Sequence, residues 1–377
     1  MTVSIKENGV CSQKIWNFWQ INRTNRKPYG SQKMEEASKE FFELLKSSVA
    51  LRLRSDVAVG SSLSGGLDSS SVVSLIRHLE PDQKLDTFTG RFPGTPSDEG
   101  YYASILQKAK NTTHHEVFPT PEKFIQEAEK FYWHAEFPVG GMSQFAQWCV
   151  FKEASNHRIK VLLDGQGSDE QLGGYGGEIQ LAYLRQLFHE HRYYPWLVEH
   201  YFAAKTNPAR FSFIKVLTND TPLNLLRKNV KSLIGRPQID LVNFTTTAFQ
   251  EGNPRKLSLS AFSTKERLDN LSNCLWDLSF RTMLSSLLRF GDRLSMAHGV
   301  EVRLPFCDHR ISEFVFGLSP DLLVGKSFVK QILREGMKSL LPAEIQRREK
   351  QGFVPPQNDW LKNSLLPWLR DLDIEDK

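Results

Sequence analysis

Apolar positions in the first half of the chain alternate between helical stripes and short runs. Over "SQKMEEASKEFFELLKSSVALRLRS", Phe41, Leu44, Leu45, Val49 and Leu53 recur at helical spacing behind Glu35 and Glu36, which predicts an amphipathic helix. The runs that follow are short and rich in β-branched residues. "DVAVGSSL", "KLDTFTGRF", "HHEVF" and "IKVLLDG" read as four strands. Helices are predicted over "SSSVVSLIRHL", "SDEGYYASILQKAK", "PEKFIQEAEKFYWHA" and "MSQFAQWCVFKEASNH". Ser97 is the expected N-cap of the second of these, backed by Asp98 and Glu99, and Pro121 opens the third. Such alternation builds an α/β fold, a parallel sheet with helices on both faces and ligands beyond the carboxyl ends of its strands.

Beyond Gly177 the strand signal fades. "EIQLAYLRQLFHEHRYYPWLVEHYF" and "ERLDNLSNCLWDLSFRTMLSSLLRFGDRLSMA" are helical by period, and the polar stretch Thr218 to Ser260 between them reads as partly disordered. Residues 1–30 show no sustained period and read as an extended lead-in anchored by Trp16, Phe18 and Trp19. The expected organisation is therefore a lead-in at 1–30, an α/β domain at 31–205 and a mostly helical region at 206–377 that completes the site. A chain of 377 residues is longer than one core usually serves, which agrees with two domains.

Composition narrows the classes. With 40% hydrophobic and 24% charged residues the chain is of ordinary globular type. Its 48 Lys and Arg against 43 Asp and Glu, a net +5, fall short of a nucleic-acid footprint. Cys11, Cys149, Cys274 and Cys307 form no CxxC, so they read as reduced thiols rather than a zinc or dithiol site. The start "MTVSIKENGV" has no apolar signal segment, and no window approaches the ~18 apolar residues of a membrane span. A cytoplasmic protein without nucleic-acid or membrane partners is expected.

The chemistry concentrates in "SSLSGGLDSSSVVSL". Leu63 closes a strand, Gly65 and Gly66 permit a tight turn with open N–H groups, and Ser69 to Ser71 open a helix, which makes an anion nest on a helix dipole. The stretch lacks the lysine of a Walker A loop and is not GxGxxG. Asp68 beside phosphates needs a cation such as Mg²⁺ between them. A serine and glycine turn holding nothing is the plain alternative.

"SGGLDSS" at Ser64 to Ser70 resembles the pyrophosphate loop of the N-type ATP pyrophosphatases, and its flanks resemble the synthetase domain of glutamine-dependent asparagine synthetases. Three further segments resemble that domain in the same order: "VLLDGQGSDEQLGGY", "LLRFGDRLSMAHGVEVRLPFCDHR" and "KQILREGMKSLLPAEIQRREKQGFVPPQNDWL". The resemblance implies that a carboxylate attacks the α-phosphorus of ATP, pyrophosphate leaves, and an amine displaces AMP to give an amide. It implies a phosphate cradle from the backbone of Ser64, Gly65, Gly66, Asp68, Ser69 and Ser70, with Mg²⁺ on Asp68 and Asp169. Leu63, Phe88 and Gly165 would bracket the adenine, and Lys350 would neutralise phosphate charge, although Arg347, Arg348 and Lys350 also read as a solvated basic run. Most of Arg289, Arg293, Glu301, Arg303 and Asp308 are expected to form an ion-pair lattice at the domain interface, with contact to substrate by one or two of them as the alternative. His114 and His115 read as strand residues and not metal ligands.

Departures from the family pattern bear on the second half of the reaction. Gln166 stands where housekeeping members carry a glutamate credited with handling the amine, and an amide cannot act as a base near neutral pH. Gly291 stands where many relatives have an acid, which leaves Asp292 to serve alone as the catalytic carboxylate. The sequence has no room before Ser31 for a glutaminase domain, so a stand-alone synthetase or a half whose ammonia-donor subunit lies elsewhere is expected. Self-association into a homo-oligomer stays open. The leading expectation is an ATP-dependent amide ligase with aspartate and ammonia as default substrates. Its alternatives are an amide-forming tailoring enzyme or cyclase and a catalytically weak nucleotide-binding partner.

Overall fold

Apolar runs too short for a helix become the strands, and the striped segments between them cover the sheet. The structure, a computed structural model, describes residues 2–5, 11–14, 18–22, 26–206, 270–326 and 328–372. It opens on an antiparallel hairpin of β1 (Thr2–Ile5) and β2 (Cys11–Lys14). The chain continues through α1 (Met34–Leu53), β3 (Val59–Ser62), α2 (Leu67–Leu79), β4 (Asp86–Gly90), α3 (Gly100–Lys110), β5 (Thr113–Val117), α4 (Pro121–Ala135) and α5 (Met142–Asn156). Then come β6 (Val161–Leu163), α6 (Ser168–Leu172), α7 (Gly176–His189) and α8 (Tyr193–Thr206). From residue 270 onward lie α9 (Leu271–Phe280), α10 (Met283–Met296), β7 (Glu301–Arg303), α11 (His309–Gly317), β8 (Val324–Gly325), β9 (Phe328–Val329), α12 (Gln331–Gly336) and α13 (Ala343–Arg347), with two short helices, Gln357–Lys362 and Leu366–Asp371, after them.

Strands β3 to β7 pair in parallel in the order β5-β4-β3-β6-β7. The first of the five in the chain is central, and the strand order reverses between β3 and β6. In open α/β sheets that reversal opens a crevice at the carboxyl ends. Both glycine loops leave from those two strands, so topology alone brings "SGGLDSS" and "GQGSDE" together.

Both faces of the sheet are covered, as an α/β fold of this kind requires. In β6, Val161 and Leu163 join the cluster formed with α1, α2 and α7, while Leu162 between them joins Phe88, Val117, Phe145, Trp148 and Phe290 on the other side. This is the two-residue alternation of a strand buried on both faces. The stripe of α1 faces the first cluster, with Phe41, Leu45 and Val49 buried and Leu44 and Leu53 partly so. One apolar cluster extends from Ile21 and Ala37 to Leu341 and Ile345, so residues on both sides of position 206 share a core.

Several expectations are corrected. The strand signal does not end at Gly177, because β7 pairs with β6, Val161 opposite Glu301. "EVR" is three residues long, too short to show alternation. Ser97 does not cap α3; Glu99 occupies the N-cap position without a side-chain cap, because Asp98 and Glu99 are held by arginines. In the lead-in, Phe18 is exposed, whereas Trp19 anchors the chain, donating to Glu313 Oε1 at 2.7 Å and packing on Phe280. Trp16 and the stretch Thr218 to Ser260 lie outside the described residues.

Candidate active site

The two loops meet backbone to backbone at the switch point. Leu63 leaves β3 with its N–H on Phe88 O at 2.8 Å, and Gly65 turns the chain at φ +70°. A Cβ at Gly65 would lie 2.5 Å from Ala103 N, and one at Gly165 would lie 2.8 Å from Ser69 N, so a side chain at Gly65 would push the loop off α3 and one at Gly165 would force the two loops apart. Ser64 stiffens the turn: its N–H donates to Ser69 Oγ and its Oγ accepts from Gly66 N–H, both at 3.2 Å. The first helical bond of α2 runs from Ser70 N–H to Gly66 O at 3.0 Å. The N–H groups of Leu67, Asp68 and Ser69 precede it at the positive end of a 13-residue helix.

Charges from three segments converge here. Lys330 Nζ donates to both Asp68 oxygens at 2.6 Å and also pairs with Asp169, which accepts in turn from Lys350. Ser168 Oγ adds a bond to Asp68 Oδ1 at 2.7 Å. Burial works to raise the Asp169 carboxyl, but Lys330 and Lys350 outweigh it and hold it down at about 2. Lys350 is held above its ordinary value, because Asp169 and Asp68 outweigh the burial that opposes them. Asp164 moves the other way, its carboxyl pushed up by burial. Lys330 itself is buried and sits in the left-handed region at φ +58°, a strain of roughly 1 kcal/mol for a residue with a Cβ.

The residues fit a hard divalent ion. Asp68 and Asp169 already hold a cation between them, the Lys330 ammonium. Two carboxylates suit Mg²⁺, which keeps most of its ligands as water and substrate phosphates. Among the described residues no group of three His, Cys, Asp or Glu side chains is placed to hold a metal alone.

A cavity of about 370 Å³ opens beside this cluster. Leu63, Ser64, Asp68, Ser69, Phe88, Gly165, Gln166, Asp169 and Lys350 all line it. Gly66 lines a smaller cavity of about 80 Å³ that shares Ser64, Asp68, Lys350 and Phe353 with the first. Gly65 and Ser70 line neither, Gly65 because it turns against α3 and Ser70 because its side chain is buried. Asp292 is exposed and does not reach the cavity. Neighbouring helical side chains point about 100° apart, and it is Gly291 that faces the site, its Cβ position 3.4 Å from Gln166 Oε1.

Of the five residues expected to form an ion-pair lattice, four sit in three separate groups of ion pairs rather than one network. Asp308 pairs with Arg310 at 2.8 Å and Arg52 at 3.2 Å, Arg303 with Glu301 at 2.6 Å, and Arg293 with Glu136 at 3.2 Å. Arg289 lies over the Phe137 ring at 4.9 Å. His115 binds Asp86 Oδ1 at 2.8 Å and His114 binds Thr87 Oγ1 at 3.0 Å, as strand residues would. Cys149, Cys274 and Cys307 form no disulfide.

Sequence reasoning missed several groups. Lys330 heads a quoted segment, but nothing in its local spacing sets it apart from other lysines. Arg348 is not part of a solvated run: it is buried, with Nη2 on Glu99 Oε1 at 2.8 Å. Glu170 and Tyr175, which donates to Glu170 Oε1, line the cavity beside Gln144, Gln147 and Leu287. Glu170 lies within the quoted loop, four residues past Gln166, which was the available signal.

Comparison with known proteins agrees with this geometry. The family profile described as Asparagine synthase matches residues 40–377. Asparagine synthetase [glutamine-hydrolyzing] 1 of Bacillus subtilis is 26% identical over 93% of this chain and 54% of its own length. Amidase chry2 of Gibberella zeae is 26% identical over 91% of this chain and 56% of its own length. Putative asparagine synthetase [glutamine-hydrolyzing] 2 of Methanocaldococcus jannaschii is 37% identical over 42% of this chain and 30% of its own length. The chain thus spans about half the length of the first two relatives. Among the described residues no helix is long and apolar enough to cross a membrane. With the profile covering nearly the whole sequence and a parallel sheet whose paired loops carry the quoted motifs, the chain belongs to the asparagine synthase family, whose members are ATP-dependent.

Proposed function

We propose that this chain is an ATP-dependent amide ligase that adenylates a carboxylate and then forms an amide. The observation that carries this reading is the junction of the two loops, where Asp68 and Asp169 share the buried Lys330 between the two cavities. Such a cluster suits charge neutralisation on a departing pyrophosphate and offers no protein nucleophile. Leu63, Phe88 and Gly165 would hold the adenine in the larger cavity, and the first N–H groups of α2 with Lys330 and Lys350 would hold the outer phosphates. Mg²⁺ on Asp68 and Asp169 would neutralise charge on the phosphates.

A carboxylate oxygen attacks the α-phosphorus and the bond to pyrophosphate breaks, its electron pair leaving with pyrophosphate. The amine nitrogen then attacks the acyl carbon, AMP departs with the C–O electron pair, and a nitrogen proton is lost. Gln166 can orient the amine by hydrogen bonding but cannot take that proton. Aspartate and ammonia are the default substrates, with the ammonia supplied free or by a separate donor subunit.

A second reading, an amide-forming tailoring enzyme acting on another acid, draws support from the relative named as an amidase and from the neutral Gln144, Gln147, Gln166 and Leu287 in the wall. ATP–pyrophosphate exchange across a panel of carboxylic acids with Mg²⁺ tests both. Exchange with aspartate supports the first, exchange only with another acid supports the second, and none with any acid sinks both.

A further inference from the structure

Glu99 is an acid in the wall of a cationic pocket. The smaller cavity is lined by Lys330, Arg334, Arg348 and Lys350 and by Asp68, Glu99 and Glu349. Each cation already has a protein partner. Lys330 holds Asp68 and Asp169, Lys350 holds Asp169, and Arg334 donates to Val329 O at 3.0 Å and Arg348 O at 2.9 Å. A polyanion entering here can use N–H donors that Lys350 and Arg334 have to spare, and gains a further cation only where a present ion pair gives way. Lys330 and Lys350 hold the carboxylates that the proposed reaction uses, and Arg334 holds the backbone that leads to Lys350.

Arg348 is differently placed. Its Nη1 lies 3.4 Å from Ser64 O and 4.0 Å from where a Cβ on Gly66 would be, so the guanidinium already touches the phosphate loop. The Tyr102 ring supports its face at 4.1 Å, a contact that leaves the N–H edge able to turn. Its partner is only half satisfied: Glu99 Oε1 accepts from Arg348, while Oε2 is buried without a partner. Both side chains are almost sealed, 4% and 2% exposed. Burial pushes the Glu99 carboxyl up to about 7, with Arg348 and then Lys350 pulling against it and Asp98 adding to it. Asp98 is itself held by Arg91 at 2.8 Å. Deprived of Arg348, Glu99 would be protonated at neutral pH.

We propose that Arg348 is an exchangeable pyrophosphate ligand, paired with Glu99 in the structure and turned to the phosphate oxygens when pyrophosphate binds, with Glu99 taking up one proton in exchange. The proposal deepens the amide-ligase reading, on which it rests for the identity of the anion. The exchange balances: one ion pair is lost, one is formed, and a proton from solvent neutralises the carboxylate left behind. Because the bound state carries more protons, pyrophosphate affinity rises as pH falls through the neutral range.

Calorimetry of inorganic pyrophosphate on the full chain, in buffers of different ionisation heat, tests this. The parent should take up more protons on binding than Glu99→Gln does, and Glu99→Gln should bind about tenfold more tightly above pH ~8, where the parent must strip an ionised Glu99. Pyrophosphate's own titration is common to both proteins and cancels in the difference. Arg348→Met should weaken binding at least about tenfold. Equal affinity and proton uptake in the parent and Glu99→Gln overturn the exchange, as do unchanged binding in Arg348→Met and weaker binding in a folded Glu99→Gln. Circular dichroism and thermal unfolding check the fold of each variant. Should Glu99→Gln not fold, Glu99→Asp serves: retained proton uptake supports the exchange, and its loss overturns it. ATP–pyrophosphate exchange run alongside separates the two readings, since its failure with every acid removes the ligase assignment while calorimetry still decides the fate of Arg348.

Discussion

Among the residues lining the main cavity, Asp68, Asp169 and Lys350 belong to a charged group knit together through Lys330, whereas Gln144, Gln147, Gln166 and Leu287 form a neutral group. The charged group is nearly over-determined, each member having at least one partner of opposite sign. Under the proposed ligase reading, a cluster of that kind recognises phosphate charge whatever the rest of the substrate is. The neutral group would then select by shape and hydrogen bonding, which would let one such centre serve different acids.

The sharpest way to break this contrast is at the charged group. Asp169→Ala should lower ATP–pyrophosphate exchange by at least about 100-fold, the scale lost with one preorganised electrostatic contact. Lys330→Met leaves two carboxylates without their shared cation, and urea unfolding should show a loss of roughly 3 kcal/mol. Acid titration extends that result. Asp169 is held down at about 2, so its contribution to stability is present above the free-aspartate value of about 3.9 and is lost as pH falls toward 2. Lys330→Met should flatten that part of the stability curve, and an unchanged slope would deny the pairing.

The neutral group predicts more selective effects. Gln166→Glu should raise amide formation from ammonia by about 100-fold, the lower end of general-base assistance, while leaving exchange within about twofold. A parallel change in both half-reactions would show that position 166 acts on adenylation. Asp292→Asn should change neither half-reaction by more than about twofold, because surface positions seldom matter more. A large loss there would return Asp292 to the site.

Much of the fold was legible, for reasons visible in particular elements. The four predicted strands fall on their apolar runs, β5 starting one residue early at Thr113, and α1, α4 and α5 follow their stripes and their opening Glu35, Pro121 and Met142. What failed was short or long-range. β7 is three residues long, and α3 begins only at Gly100, while Ser97 Oγ is engaged by Thr95 Oγ1 in the preceding turn. In the site, the motif residues were readable because each stands beside its glycines. Asp292 was misplaced by a single helical position relative to Gly291.

By itself the sequence determined the alternating α/β order, the two glycine loops at strand ends and the family to which they belong, because these depend on local periodicity and on contiguous motifs. Tertiary structure alone decided which cations serve those loops. Lys330 is separated from Asp68 by 262 positions, and Arg348 from Glu99 by 249, and no local pattern marks either lysine or arginine as buried. Their roles follow from packing, since a charged side chain sealed from water must find its counter-charge wherever the fold delivers one.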